Sequence, residues 1–299
     1  MVLGSSLSDL IAGCNKERVD ECVETMEAHL SGIKLVIDLL FSRYVGYVDR
    51  LVKKYFNIRT RVPLVYIAAA LHDLGKSLPS YQVRLWSTCS APYHELVSAS
   101  LILNHVDLGE AVISGDVAKV RALVAMAVLL HHHAMRPPST YVTKDFATYA
   151  LGDPRSSDKI YESISRYLRI VSKIYPNLRV AVNAELSYNS LLAGTRKLVS
   201  SLKIFDYALD RGRAAQAIAR DYKVVVIMLY PLTIADSLAA AIQRSCRVLK
   251  PRLIESVCEE IESCRVFIRD VIKWWSVGRV FRNGFEVGRC GDADSDSGV

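Results

Sequence analysis

From Val19 to Tyr44 the apolar residues fall at Val19, Cys22, Val23, Met26, Leu30, Ile33, Ile37, Leu40, Phe41 and Tyr44. Steps of three and four lay them along one side of a helix, and the same period governs almost the whole chain. It predicts further helices over Val65–Lys76, from about Pro92 to His105 with Ser90 as cap, and over Val117–His133, stopping before Pro137-Pro138. Others are expected over Ser157–Ile174, Asn183–Ser201, Ile204–Tyr222, Val224–Ser245 and Arg252–Ser276. Alternation appears only near Val277–Val287, where Asn283-Gly284 reads as a hairpin turn. The expected fold class is all-α, with at most a short β-hairpin near the C-terminus. One domain is expected over residues 1–287, followed by a small, acidic, disordered tail, 288–299.

Composition narrows the class. A chain of 299 residues, 51% hydrophobic, can bury a sizeable core. Residues 1–20 show no cationic start followed by an apolar run, so the expectation is a cytoplasmic protein with mostly reduced thiols. The seven cysteines form no CxxC pair, which argues against a zinc ribbon. Cys258 and Cys264 are spaced to bridge if the source is a hyperthermophile. Val224–Ile242 is the nearest approach to a membrane span. It carries Pro231 and Asp236, so it is expected to be a buried core helix, with no membrane partner. The net charge of +7 suits a polyanionic partner such as nucleic acid.

The chemistry lies in polar residues set on apolar helices. All seven histidines fall between His29 and His133. His29 lies on the buried side of the first helix. His72-Asp73 interrupts the apolar run Val65–Leu74, and a carboxylate buried there needs a partner, which a divalent cation supplies. Gly75 permits close approach of another backbone, and Lys76 lies one turn beyond His72, placed to hold a phosphate oxygen. His94 opens one helix. His105 ends it about 16 Å away and cannot share a metal with His94. His131-His132-His133 closes another, and Asp236 sits among Ile234, Ala235, Leu238 and Ala239.

Taken in order, His29, His72-Asp73, His94, His131-His132 and Asp236 resemble the H…HD…H…HH…D series of the HD-domain superfamily of metal-dependent phosphohydrolases. The resemblance covers about residues 17–245 and implies an HD-domain helical bundle. It also implies a site with two divalent ions, of which manganese, magnesium, nickel, cobalt and iron all suit the ligands. Carried over, Asp73 would bridge the ions. His29, His72 and Asp236 would hold one, and His94, His131 and His132 the other, with His132-His133 as the alternative register. A net positive site of this kind attracts a phosphodiester and acidifies water for attack on phosphorus, with Asp73 and Lys76 as catalytic residues.

Within the superfamily, His72-Asp73-Leu74-Gly75-Lys76 resembles the HDxGK form. The paired acids of stringent-response hydrolases, the GYP motif of cyclic-di-GMP phosphodiesterases and the arginine of deoxynucleotide triphosphohydrolases are missing from their positions. With His94-Glu95, Ser98-Ala99 and Ala235-Asp236-Ser237-Leu238, the chain is most similar to the stand-alone CRISPR-associated HD nuclease. That implies single-stranded DNA as substrate, and a separate helicase and an RNA-guided surveillance complex as partners. The sequence holds no GxxxxGK[ST] phosphate loop of its own. Tyr81, Trp86, Tyr93 and Tyr141 are candidates to stack on bases, and Trp274-Trp275 for docking or core. The alternatives are an HD phosphohydrolase acting on a nucleotide or cyclic nucleotide, and a non-catalytic helical adaptor with a structural metal.

Overall fold

A strand, not a helix, leads into the first histidine-bearing segment. Val23–Thr25 (β2) pairs antiparallel with Ile11–Cys14 (β1). The first helix, α1 (Met26–Leu40), starts only where the Thr25 hydroxyl accepts from Ala28 N at 3.2 Å. This corrects the expected single helix from Val19 to Tyr44. A three-residue strand is too short to show its own period, and the helical spacing reads through it. The far end also differs. The helix breaks at Phe41, and α2 (Ser42–Phe56) follows, ending at Asn57 in the left-handed conformation (φ 54°).

The protein is described by a computed structural model, which places residues 10–14, 23–132, 151, 157–210 and 215–244. Among these residues the architecture is all-α. After α2 come a two-residue strand β3 (Arg59–Thr60), α3 (Leu64–Leu71), a 3-10 turn over Leu74–Ser77, and α4 (Pro79–Thr88). Then follow α5 (His94–Asn104), β4 (Val106–Asp107), β5 (Val112–Ser114) and α6 (Val117–Leu130). The rest is α7 (Ser157–Ile174), β6 (Ala181–Val182), α8 (Tyr188–Asp210) and α9 (Ala215–Arg244). The strands make three two-stranded ladders, β1–β2, β3–β5 and β4–β6. These short ribbons tie loops together and were not expected.

Local chemistry sets the boundaries. Pro79 occupies the first turn of α4, where its missing N–H costs nothing. Tyr93 (φ 66°), not Ser90, precedes α5. Asp116 caps α6 by accepting from Ala118 N at 2.8 Å. The expected break between Tyr222 and Val224 does not occur. Both lie inside α9, which also contains Pro231. The window Asp221–Ala241 is long and apolar enough to cross a membrane by length and composition, but half of it is buried inside the protein.

α5 lies along α6, and α1 along α9, with α3 between α1 and α6. Met26, Leu30, Ile33, Val36 and Ile37 of α1 are fully buried, as are Val224, Met228, Leu232 and Ala235 of α9. Cys14 and Cys89 are joined by a disulfide, their Cα atoms 5.3 Å apart. This corrects the expectation of mostly reduced thiols for that pair, because β1 lies against the end of α4. The C-terminal expectations all lie outside the described residues: the helix 252–276, the hairpin 277–287, the tail 288–299, Cys258, Cys264 and Trp274-Trp275.

Candidate metal centre

Five segments converge on one buried point. The first turn of α1 brings His29, and the turn after α3 brings His72 and Asp73. The first residue of α5 is His94. The end of α6 supplies His131 and His132, and α9 supplies Asp236. His29, His72 and Asp73 have no exposed surface, and His94, His131 and Asp236 are also buried.

The helical turns fix how the rings point. His72 Nδ1 donates to Ala69 O at 2.8 Å, and His94 Nδ1 to Ala91 O at 2.7 Å. His131 Nδ1 bonds Val128 O in the same way. Each carbonyl lies three residues back in the chain. With Nδ1 committed as donor, each Nε2 is the ring atom turned toward the centre. His29 Nε2 lies 3.2 Å from Asp236 Oδ1, 3.3 Å from Asp73 Oδ2 and 3.4 Å from His72 Nε2. His94 Nε2 lies 3.0 Å from Asp73 Oδ1.

Three of the inward atoms face one another with no hydrogen bond between them. His94 Nε2, His131 Nε2 and Asp73 Oδ1 are buried without a hydrogen-bond partner. Such groups are costly unless a cation lies between them. Donor atoms within 4.8 Å of one another form three sets: His29–His72–Asp73, His72–His131–Asp236 and His94–His131–His132. Asp73 turns Oδ2 toward His29 and His72, and Oδ1 toward His94. Imidazoles with carboxylates, so arranged, are compatible with divalent metal binding.

Charge preferences divide the same residues. Burial works against the charged form of His72, but Asp73 and Asp236 outweigh it and raise its pKa to about 9. His29 is raised too, Glu24 leading against burial. Burial, reinforced by neighbouring imidazoles, lowers His131 to about 4 and His132 to about 2. Asp73 and Asp236 stay well below the usual carboxylate range despite burial, because His72, Lys76 and His29 surround them. Without metal, protons on His29 and His72 therefore balance the carboxylates, and the His131–His132 side stays neutral.

His29, His72, Asp73, His94, His131, His132 and Asp236 all arrive at this point, and the alternative His132-His133 register rests on His133, which lies outside the described residues. Lys76 reaches Asp73 Oδ2 at 2.7 Å with its side chain 9% exposed. His105 stays apart as a buried structural residue, its carbonyl accepting from Asn183 N at 2.8 Å. Of the aromatics, Tyr81 is core, its hydroxyl donating to Pro92 O at 2.8 Å. Trp86 is 46% exposed, Tyr93 is half-buried, and Tyr141 lies outside the described residues.

The sequence did not show how the supporting groups act, although Ser98 and the close approach at Gly75 were among its features. Glu24 Oε1 lies 2.6 Å from His29 Nδ1, both fully buried. Tyr167 of α7 is buried beneath the turn and donates to Ala70 O at 2.9 Å. Ser98 Oγ accepts from Gly75 N at 2.7 Å, drawing α5 onto that turn. A buried tyrosine or serine carries no sequence signal of its role, and Glu24 is separated from His29 by a helix boundary.

Residues 129–197, under a quarter of the chain, match the family model of the cytosine specific DNA methyltransferase replication foci domain. No curated protein sequence matches the chain. Among solved structures, the protein is similar to the CRISPR-associated Cas3 HD domain protein of Methanocaldococcus jannaschii. Identity is 16%, the TM-score is 0.41, and the match covers 70% of this chain and 95% of that one. A superposition that loose does not establish a shared activity.

Proposed function

We propose that the protein is a metal-dependent phosphohydrolase of the HD type, and that it hydrolyses phosphodiester bonds of single-stranded DNA. The observation that carries the hydrolase reading is Asp73. It turns Oδ2 toward His29 and His72 and Oδ1 toward His94, so one oxygen would be available to a cation on each side. In this reading His29, His72 and Asp236 hold one ion, and His94, His131 and His132 the other. Divalent ions, when bound, supply Lewis acidity, lowering the pKa of water and offsetting charge on the phosphoryl oxygens.

The chain's own groups do the rest. The main-chain carbonyls of Ala69, Ala91 and Val128 hold three rings in one tautomer, so no reorganisation is needed when charge develops. Lys76 positions Asp73 through its 2.7 Å bond and keeps a positive charge at the rim for a phosphate oxygen. His132 is the least enclosed of the five rings around the site and marks the side from which a phosphodiester would enter.

Single-stranded DNA is favoured by the net charge of +7 and by Trp86, exposed on α4 next to the 3-10 turn that carries Lys76. By the resemblance of the motif series, its partners are a separate helicase and an RNA-guided complex, in cytoplasmic antiviral defence. Purified protein with Mn²⁺ or Mg²⁺ is expected to degrade single-stranded DNA, and Asp73→Ala or His72→Ala to abolish the cleavage. Intact single-stranded DNA beside rapid turnover of deoxynucleoside triphosphates or cyclic nucleotides would replace the nuclease with a nucleotide hydrolase. Hydrolysis of neither would leave a structural metal site.

A further inference from the structure

His29 departs from the rule that orients its neighbours. The rings of His72, His94 and His131 are fixed by carbonyls three residues back in the chain. His29 Nδ1 instead meets Glu24 Oε1 at 2.6 Å. Glu24 lies outside α1, on β2, opposite Gly13 of β1. Its carboxylate is fully buried, a costly placement on a three-residue strand that an apolar side chain would fill without penalty.

The hairpin that carries Glu24 is itself braced against the site. Gln82 of α4 accepts from Ile11 N at 2.8 Å and donates to Ile11 O at 2.9 Å. The same amide nitrogen donates to Lys76 O at 2.7 Å, tying the hairpin to the turn that follows Asp73. Met26 N bonds Leu10 O at 2.7 Å, and the Cys14–Cys89 disulfide closes the other end of β1.

We propose that Glu24 is a positioning residue of the metal centre. It accepts the Nδ1 proton of His29, fixes that ring in the tautomer with Nε2 free, and aims Nε2 at the space shared with His72, Asp73 and Asp236. The assignment rests on the reading of the cluster as a metal site. Carboxylates that orient a ligand histidine from behind contribute on the order of 10–100-fold to metal affinity. The N-terminal hairpin is then a working part of the site.

Calorimetric titration of the full chain with Mn²⁺ tests this without reference to turnover. Glu24→Ala is expected to weaken Mn²⁺ binding 10–100-fold. Glu24→Asp, whose carboxylate falls short of Nδ1, is expected to weaken it similarly, whereas Glu24→Gln keeps an acceptor oxygen in place and retains affinity within a few-fold. The Asp and Gln pair decides the matter if the alanine protein does not fold. Unchanged affinity in Glu24→Asp, or a loss in Glu24→Gln as deep as in Glu24→Asp, would overturn the assignment while leaving the metal site standing. Failure of the unmodified protein to take up Mn²⁺ would overturn both.

Discussion

Replacing Gly75 by alanine probes the contact that holds the two halves of the centre together. A Cβ on residue 75 would sit 2.5 Å from His94 O and 3.0 Å from both Ser98 N and Ser98 Oγ. Two of those atoms are main chain and cannot rotate away. Ordinary contact begins at 3.4 Å, so the first turn of α5 must retreat by about 0.9 Å. His94 is the first residue of that turn. Its Nε2 would move from 3.0 Å to roughly 4 Å from Asp73 Oδ1. Overpacking of this kind costs about 1–3 kcal/mol of stability. A misplacement of about 1 Å in a catalytic constellation costs on the order of 100-fold in rate. The expected result is a folded protein with a lower melting temperature and a smaller stabilisation by Mn²⁺. Its kcat on single-stranded DNA should fall about 100-fold. Wild-type kcat together with wild-type stabilisation by Mn²⁺ would refute the claim that this glycine sets the His94–Asp73 spacing.

Other perturbations test separate links. In the metal-free protein His72 titrates at about 9, so at pH 7.5 it carries a proton that a cation must displace. His29 is raised as well, so Mn²⁺ binding should release protons from both rings and tighten as pH rises through about 9, as calorimetry in buffers of different ionisation enthalpy would show. His131 and His132, already neutral at that pH, should add nothing to the release. Cys14→Ser opens a loop of sequence separation 75 and should destabilise the oxidised protein by about 4 kcal/mol in denaturant unfolding. No change against the reduced wild type is expected. Tyr167→Phe removes the donor to Ala70 O in a buried setting and should cost about 1 kcal/mol, with metal affinity retained.

The sequence showed much of the helical frame and, among the described residues, the ligand candidates that converge, for one physical reason. A histidine or aspartate inside an apolar helical stripe is an expensive placement, and His29, His72, Asp73 and Asp236 are conspicuous for it. What it did not show depends on contacts between segments distant in sequence. The β1–β2 hairpin is held by pairing and by the side chain of Gln82, 71 residues from Ile11. The Cys14–Cys89 link depends on β1 lying against α4. α4 itself was missed because its sequence, Pro79–Thr88, buries only Tyr81 and Leu85 and shows no continuous stripe. Among the aromatics, composition alone did not separate core Tyr81 from exposed Trp86.

The role proposed for Asp73 requires cations on both sides of its carboxylate. Anomalous diffraction from crystals of the protein grown with Mn²⁺ measures this directly. That role predicts two peaks flanking the Asp73 carboxylate, roughly 3.5–4 Å apart. One should lie against His29, His72 and Asp236, the other against His94, His131 and His132. Saturating Mn²⁺ with no peak within reach of Asp73 would contradict it.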